Sequence, residues 1–315
     1  MLIAKKHIKN DIVIPNNETP KKRACSQDGY LYIKSSVVSG KIEFIKCCFK
    51  YDEVLFSIDK DEFRKLNAEE LKQLIYKTYN VNPANHNYGV IPACYTEMAY
   101  CDYSKFKLST LCISISKACN ILCRMCWHHA ISNKTIFEDK DLYFETLYKC
   151  KGMHLDRLML TESGEPFFYK NETLKFISGL TTDDCKTVYM ITNATLLNDD
   201  DIKLLNDISL KNNIKIKIVV SCSAITADTY KKVHNNDNFD KVIHNIRLLK
   251  HYNMLDSINY VVQSVNIHEL DMINDFWKND YLFVNISYIR QSYPGITKEE
   301  ENRILSIVQS KIYNK

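Results

Sequence analysis

The sequence is short of glycine and proline. Seven glycines and six prolines in 315 residues leave little material for flexible linkers, collagen-like repeats or low-complexity tracts. Roughly 18 consecutive apolar residues are needed to span a bilayer, and no such run is present. The opening Met1-Leu2-Ile3-Ala4-Lys5-Lys6-His7 lacks the apolar stretch of a secretory signal. Neither sign of charge dominates. The 42 basic and 38 acidic residues give a formal net charge of +4, small and scattered, which argues against a nucleic-acid partner. The 20 tyrosines are not interleaved with basic residues, so no base-stacking platform is expected either. What remains is an ordinary globular composition, 45% hydrophobic and 25% charged, long enough for one large domain or one plus an appendage. The outlier is cysteine, with 12. Without an export signal a reducing cytoplasm is expected, where such cysteines bind metal or react rather than form disulfides.

Three of them share one stretch, Cys119-Asn120-Ile121-Leu122-Cys123-Arg124-Met125-Cys126-Trp127, directly after the apolar run Leu111–Ser116. Chance would give this CxxxCxxC spacing about 0.02 times in a chain with so many cysteines. Three thiolates on a short loop can hold three irons of a [4Fe–4S] cluster and leave the fourth iron without a protein ligand. The plainer readings are a group of reduced thiols, or a zinc site completed by His128 or His129. The stretch resembles the cluster loop of the radical SAM superfamily, which has this spacing and commonly an aromatic residue beside the third cysteine. That resemblance implies that Cys119, Cys123 and Cys126 hold the cluster and that the open iron chelates S-adenosylmethionine. It implies a reductant such as flavodoxin or ferredoxin, and cleavage of the cofactor to a 5′-deoxyadenosyl radical.

Three regions are expected. Residues 1–24, with Pro15, Pro20 and Lys21-Lys22-Arg23, read as a basic N-terminal arm. Residues 25–106 read as a small α+β domain. Tyr30–Ile33 and Lys41–Lys46 alternate about a Ser39-Gly40 turn, predicting a hairpin, and Asn67 with Glu70 opens a helix carrying Leu71, Leu74 and Ile75 on one face. Cys25, Cys47, Cys48, Cys94 and Cys101 surround these elements. Their order resembles a half-SPASM or twitch module, which implies that four of them hold a second [4Fe–4S] cluster; structural or zinc-binding cysteines are the other reading.

Residues 107–315 alternate apolar strands with amphipathic helices, the pattern of a partial (β/α)6 barrel. Strands are predicted at 111–116, 155–160, 187–191, 214–221, 258–263 and 284–289. Helix starts are predicted after Asp199–Asp201, at Thr226, at Thr297, and at Asn266 with Glu269 three residues on.

In such barrels chemistry collects where strands end. After the second barrel strand stands Ser163-Gly164-Glu165-Pro166, resembling the superfamily's GGEP motif, which implies contact with the methionine amino group of S-adenosylmethionine. Thr192-Asn193-Ala194 resembles Thr-Asn-Gly, implying that Asn193 contacts the cofactor or supports its loop. Ser221 matches a serine that reaches the ribose. Ser223 replaces the expected aspartate, and His234 stands roughly where an arginine for the carboxylate is expected. Gln263, Asn266 and Arg290 are further mouth residues. Cys222 is a candidate hydrogen donor to a substrate radical, although alternation along the strand points it away from Ser221. Cys112, Cys150 and Cys185 read as core.

The expected function is therefore a radical SAM enzyme that abstracts a hydrogen atom and oxidises or crosslinks a peptide or small molecule. Redox-neutral epimerisation, with a thiol returning a hydrogen, is the rival reaction. A non-catalytic iron–sulfur or zinc-binding protein is the rival from another class.

Overall fold

The computed structural model describes residues 30–36, 39–45, 54–80, 108–126, 139–160, 164–278, 280, 284–288, 297–308 and 310. The arm 1–24 lies outside these residues, as do Cys25, Cys47, Cys48, Cys94, Cys101, Trp127, His128, His129, Ser163 and Arg290.

Six strands run parallel and in sequence order: β4 (Thr110–Ser114), β5 (Leu155–Leu160), β6 (Cys185–Thr192), β7 (Lys215–Ser221), β8 (Leu255–Val262) and β9 (Val284–Tyr288). Helices separate or follow them: α3 (Lys140–Lys149), α4 (Lys170–Ser178), α5 (Asp199–Asn212), α6 (Ala227–His234), α7 (Phe239–His251), α8 (Ile273–Trp277) and α9 (Lys298–Val308). This is the expected partial barrel. Leu111, Ile113, Leu158, Val188, Val220 and Ile258 are sealed between sheet and helices, because period-2 alternation sends every second side chain to that face. Cys112, Met159 and Tyr189 form a smaller cluster with Tyr32 and Ile45.

The start signals of α5 and α6 hold. Asn198 and Asp201 close a capping box at α5, and the Thr226 side chain accepts from the Thr229 N–H at α6. Asn266 and Glu269 do not behave as expected. They flank only a short 3₁₀ turn, Ile267–Glu269, with no side-chain cap. The Asn266 amide instead donates to the carbonyls of Ser223 (2.8 Å) and Val261 (2.9 Å). Glu269 accepts from Ile225 N–H, the Thr226 hydroxyl and the Tyr260 hydroxyl. Both residues are fully buried, so satisfying polar groups beneath the mouth takes precedence over starting a helix.

The N-terminal hairpin forms as expected from β1 (Tyr30–Ser35) and β2 (Ile42–Ile45), and β3 (Val54–Ile58) extends it. Its position is new. β1 pairs in parallel with β4, from Tyr30 opposite Thr110 to Lys34 opposite Ser114, making one nine-stranded sheet. After α1 (Lys60–Lys65), α2 (Ala68–Asn80) opens with the Asn67–Glu70 capping pair and packs on α3. Leu31, Ile33, Phe44, Phe63, Leu71 and Ile75 belong to the same buried cluster as the barrel residues. The boundary drawn at residue 107 thus marks a change of topology and does not divide two cores.

Candidate active site

The cysteine loop leaves the C-terminal end of β4. Cys119, Cys123 and Cys126 are each partly exposed, while Ile121 between them is buried and anchors the loop. Cys126 N–H donates to the Cys123 carbonyl at 3.0 Å, forming a turn, and Arg124 N–H donates to Val233 O at 2.8 Å, tying the loop to the end of α6. Burial pushes the Cys119 thiol up to about 11, opposed by the Ile121 and Asn120 N–H groups and reinforced by Glu165 and Cys126. Cys123 is pushed up further, first by burial and then by Cys119 and Cys126. Cys119 and Cys123 therefore sense their neighbours' charge, and ionising them together calls for a cation among them. No three His, Cys, Asp or Glu side chains converge on a single-ion position among the described residues. A set of three soft donors spread along one loop fits a polynuclear cluster, in which each thiolate takes a different iron.

The segment after β5 clasps this loop from behind. Gly164 has φ +102°, and a Cβ there would lie 2.9 Å from the Ala118 carbonyl oxygen and 2.9 Å from the Lys117 carbonyl carbon. Only glycine permits that approach. Glu165 N–H then donates to Ala118 O at 2.8 Å. The Glu165 carboxylate is buried and accepts from Phe167 N–H (3.0 Å), the Thr192 hydroxyl (2.6 Å) and Asn193 N–H (2.8 Å). Burial pushes its pKa up to about 7, against the pull of those three donors. Its side chain thus knits β5 to β6, a role its position in the motif did not reveal.

β6 ends in a second brace. Asn193 Nδ2 donates to Asn120 Oδ1 at 3.0 Å and lies 3.8 Å from Cys119 Sγ. Its Oδ1 accepts from the N–H and hydroxyl of Thr195, while Asn120 Nδ2 donates to that hydroxyl. Of the two roles expected for Asn193, this is support of the loop. Ala194 is held in the left-handed region at φ +58°, where the resembling motif has glycine; α7 fixes the turn, through Asn245 Nδ2 donating to Ala194 O and Leu197 O.

At β7, Ser221 is half-buried at the strand end, opposite Asn259 of β8. Cys222 lies on the helix side, buried, with its thiol donating to Ala224 O at 3.5 Å and pushed up to about 12 by burial. Gln263, just past β8, is buried, and its Nε2 has no hydrogen-bond partner among the described residues. His234 does not point outward as a carboxylate-binding arginine would. It is fully buried, its Nε2 accepts the Ser223 N–H at 3.0 Å, and its Nδ1 lies 3.2 Å from Cys123 Sγ. Burial lowers its pKa to about 4. Ser223 is buried too, its hydroxyl accepting from Val261 N–H. Composition gave no signal for these partnerships, since they depend on how the β7–α6 connection folds over the loop.

No family model matches the sequence. It is 26% identical over 215 residues to a GTP 3′,8-cyclase of Clostridium perfringens, covering 64% of this chain and 62% of the relative. It is also 26% identical over 208 residues to a cysteine-type anaerobic sulfatase-maturating enzyme of Clostridium novyi, covering 59% and 54%. Both relatives are radical SAM enzymes. The chain is thus similar in sequence to radical SAM enzymes. It spans less than two thirds of the length of either curated relative. A solved structure, native anSMEcpe with bound AdoMet, aligns over 65% of this chain and 59% of its own at TM-score 0.49 and 18% identity. Among the described residues no helix is long and apolar enough to cross a membrane.

Proposed function

We infer that this chain is a radical SAM enzyme that binds a [4Fe–4S] cluster through Cys119, Cys123 and Cys126. The observation that carries this is the braced loop, which presents three thiols at the mouth of the parallel strands. When bound, a cluster with one open iron supplies an electron that cleaves S-adenosylmethionine to 5′-deoxyadenosine by way of a hydrogen-abstracting radical. The chain's own part is positioning and exclusion of water. Gly164 and Glu165 hold the loop in place from β5, and Asn193 holds it from β6. Gln263, whose side-chain Nε2 has no hydrogen-bond partner among the described residues, Ser221, and residues 163–166 are the groups that would bind S-adenosylmethionine.

The substrate class is a peptide or small molecule, oxidised or crosslinked. One relative is named for GTP and the other for maturing a sulfatase, a span that supports no narrower class. Oxidation is preferred to redox-neutral epimerisation because Cys222, the thiol considered for returning hydrogen, faces the helix layer. Four of Cys25, Cys47, Cys48, Cys94 and Cys101 would form a second cluster. In support, β1 begins and β2 ends at the same edge of the sheet, the edge opposite the Cys119 loop. Cys25 and Cys47-Cys48 flank those two strand ends in sequence.

Iron and acid-labile sulfide after anaerobic reconstitution, with 5′-deoxyadenosine formed under dithionite, test both parts. About eight irons falling to about four in the Cys119/Cys123/Cys126 triple alanine is the expected result, with 5′-deoxyadenosine abolished. About four falling to about zero removes the second cluster and leaves the first. 5′-Deoxyadenosine formation that survives any single alanine at the three cysteines overturns the assignment.

A further inference from the structure

His234 occupies a place that its sequence position does not explain. Two constraints fix it. The backbone N–H of Ser223 can only donate, so the nitrogen it meets at 3.0 Å, Nε2, is an acceptor. The imidazole is then neutral with its proton on Nδ1, and Nδ1 faces Cys123 Sγ at 3.2 Å. The second constraint is backbone: Arg124 N–H, next to Cys123, donates to Val233 O, next to His234. The contact is therefore clamped from both of its flanks. The Tyr230 ring, 4.6 Å away and tilted by 32°, holds the imidazole plane, and water is excluded because His234 is fully buried.

We propose that His234 is a positioning residue that donates an N–H···S hydrogen bond to the Cys123 thiolate and thereby raises the reduction potential of the cluster that Cys123 helps to hold. This rests on the cluster assignment made above. Reduction adds one electron and no atoms, taken from a low-potential donor. The added charge spreads onto the cluster's sulfurs, and a fixed N–H dipole stabilises the reduced form more than the oxidised one. Because Ser223 N–H locks the tautomer, this donor cannot rotate away or be exchanged for an acceptor.

Two substitutions separate the donor from the fold. His234→Gln carries its amide one bond further out, at the level of Nε2, where its oxygen can accept Ser223 N–H and the Nδ1 position is left without a donor, whereas His234→Asn carries an N–H at the level of Nδ1, on the Cys123 side. Reconstituted proteins are titrated with dithionite and followed by electron paramagnetic resonance. The expected result is wild-type iron content in both, a more negative midpoint potential in His234→Gln, and a midpoint near wild type in His234→Asn. In parallel, wild-type protein grown with ¹⁵N-histidine is examined by pulsed electron paramagnetic resonance, where one weakly coupled imidazole nitrogen should appear on the reduced cluster. That measurement decides the matter should His234→Gln fail to hold its cluster. An unchanged potential in cluster-bearing His234→Gln, or no histidine nitrogen coupling in wild type, overturns the proposal while leaving the cluster assignment standing. Absence of any cluster from reconstituted wild type overturns the assignment itself and the role of His234 with it.

Discussion

At the residue scale the site depends on a few atoms that touch the cluster loop from outside it. Gly164 is the least replaceable. Gly164→Ala would set a Cβ against the backbone of Lys117 and Ala118 at a φ of +102°. We expect about 2 kcal/mol or more of destabilisation in urea unfolding of the metal-free protein, together with loss of 5′-deoxyadenosine formation. An alanine variant as stable as wild type would show that the loop yields easily. Glu165→Gln tests the carboxylate. A glutamine keeps one oxygen for Phe167 N–H and Thr192 but turns an amino group, or loses an acceptor, toward Asn193 N–H. A cost of about 1–3 kcal/mol is expected by the same measurement. The cysteines and the Gly-Glu-Pro turn were legible because their chemistry is written in local spacing. The inward histidine was not. Its partners lie 11 residues away at Ser223 and 111 away at Cys123, and no short pattern encodes separations of that kind.

At the element scale, strands and most helix starts could be read because alternation and capping are local properties of the chain. The failure at Asn266 and Glu269 is instructive. The capping pattern needs both side chains free to turn back on the backbone, and here each is committed to partners on β8 and on the connection between β7 and α6. Asp139 shows the opposite case, a cap that also joins elements. It accepts from Leu142 N–H to begin α3 and pairs with Lys60 and with Arg64, at 2.9 Å, on α1. Burial alone would raise its pKa, but the Lys60 hydrogen bond, the Leu142 N–H and the charges of Lys60 and Arg64 lower it below the ordinary 3.8. A depressed acid stabilises the fold above its unfolded pKa and loses that contribution as pH falls through the folded value. Asp139→Ala should thus cost about 0.5–2 kcal/mol at neutral pH. The difference from wild type should shrink as denaturation is repeated at pH values below 3.8. A difference independent of pH would mean that the pairing with α1 carries no weight.

At the scale of the whole molecule, the sequence suggested a small cysteine-bearing domain attached to a barrel, and the structure merges the two. β1 lies in register beside β4, and Phe44 and Phe63 share a core with Leu111 and Val220. Pairing partners across so long a stretch of chain cannot be inferred from alternation, which fixes which face a residue takes but not which strand it meets. A single cooperative transition follows. Phe44→Ala should cost about 3–5 kcal/mol and lower the midpoint seen by tryptophan fluorescence and by far-ultraviolet circular dichroism equally. Separate midpoints would mean that the N-terminal strands unfold on their own. The clasp of Gly164 on Ala118 and of Asn193 on Asn120 has a consequence for how metal is acquired. Ordering a chain segment costs about 1–2 kcal/mol per residue; in this chain the contacts of Gly164 and Asn193 offset part of that cost without any bond to metal. Chelation and re-addition of iron and sulfide should therefore cycle the site without unfolding it, unlike small metal-nucleated domains that collapse and reform with each loading.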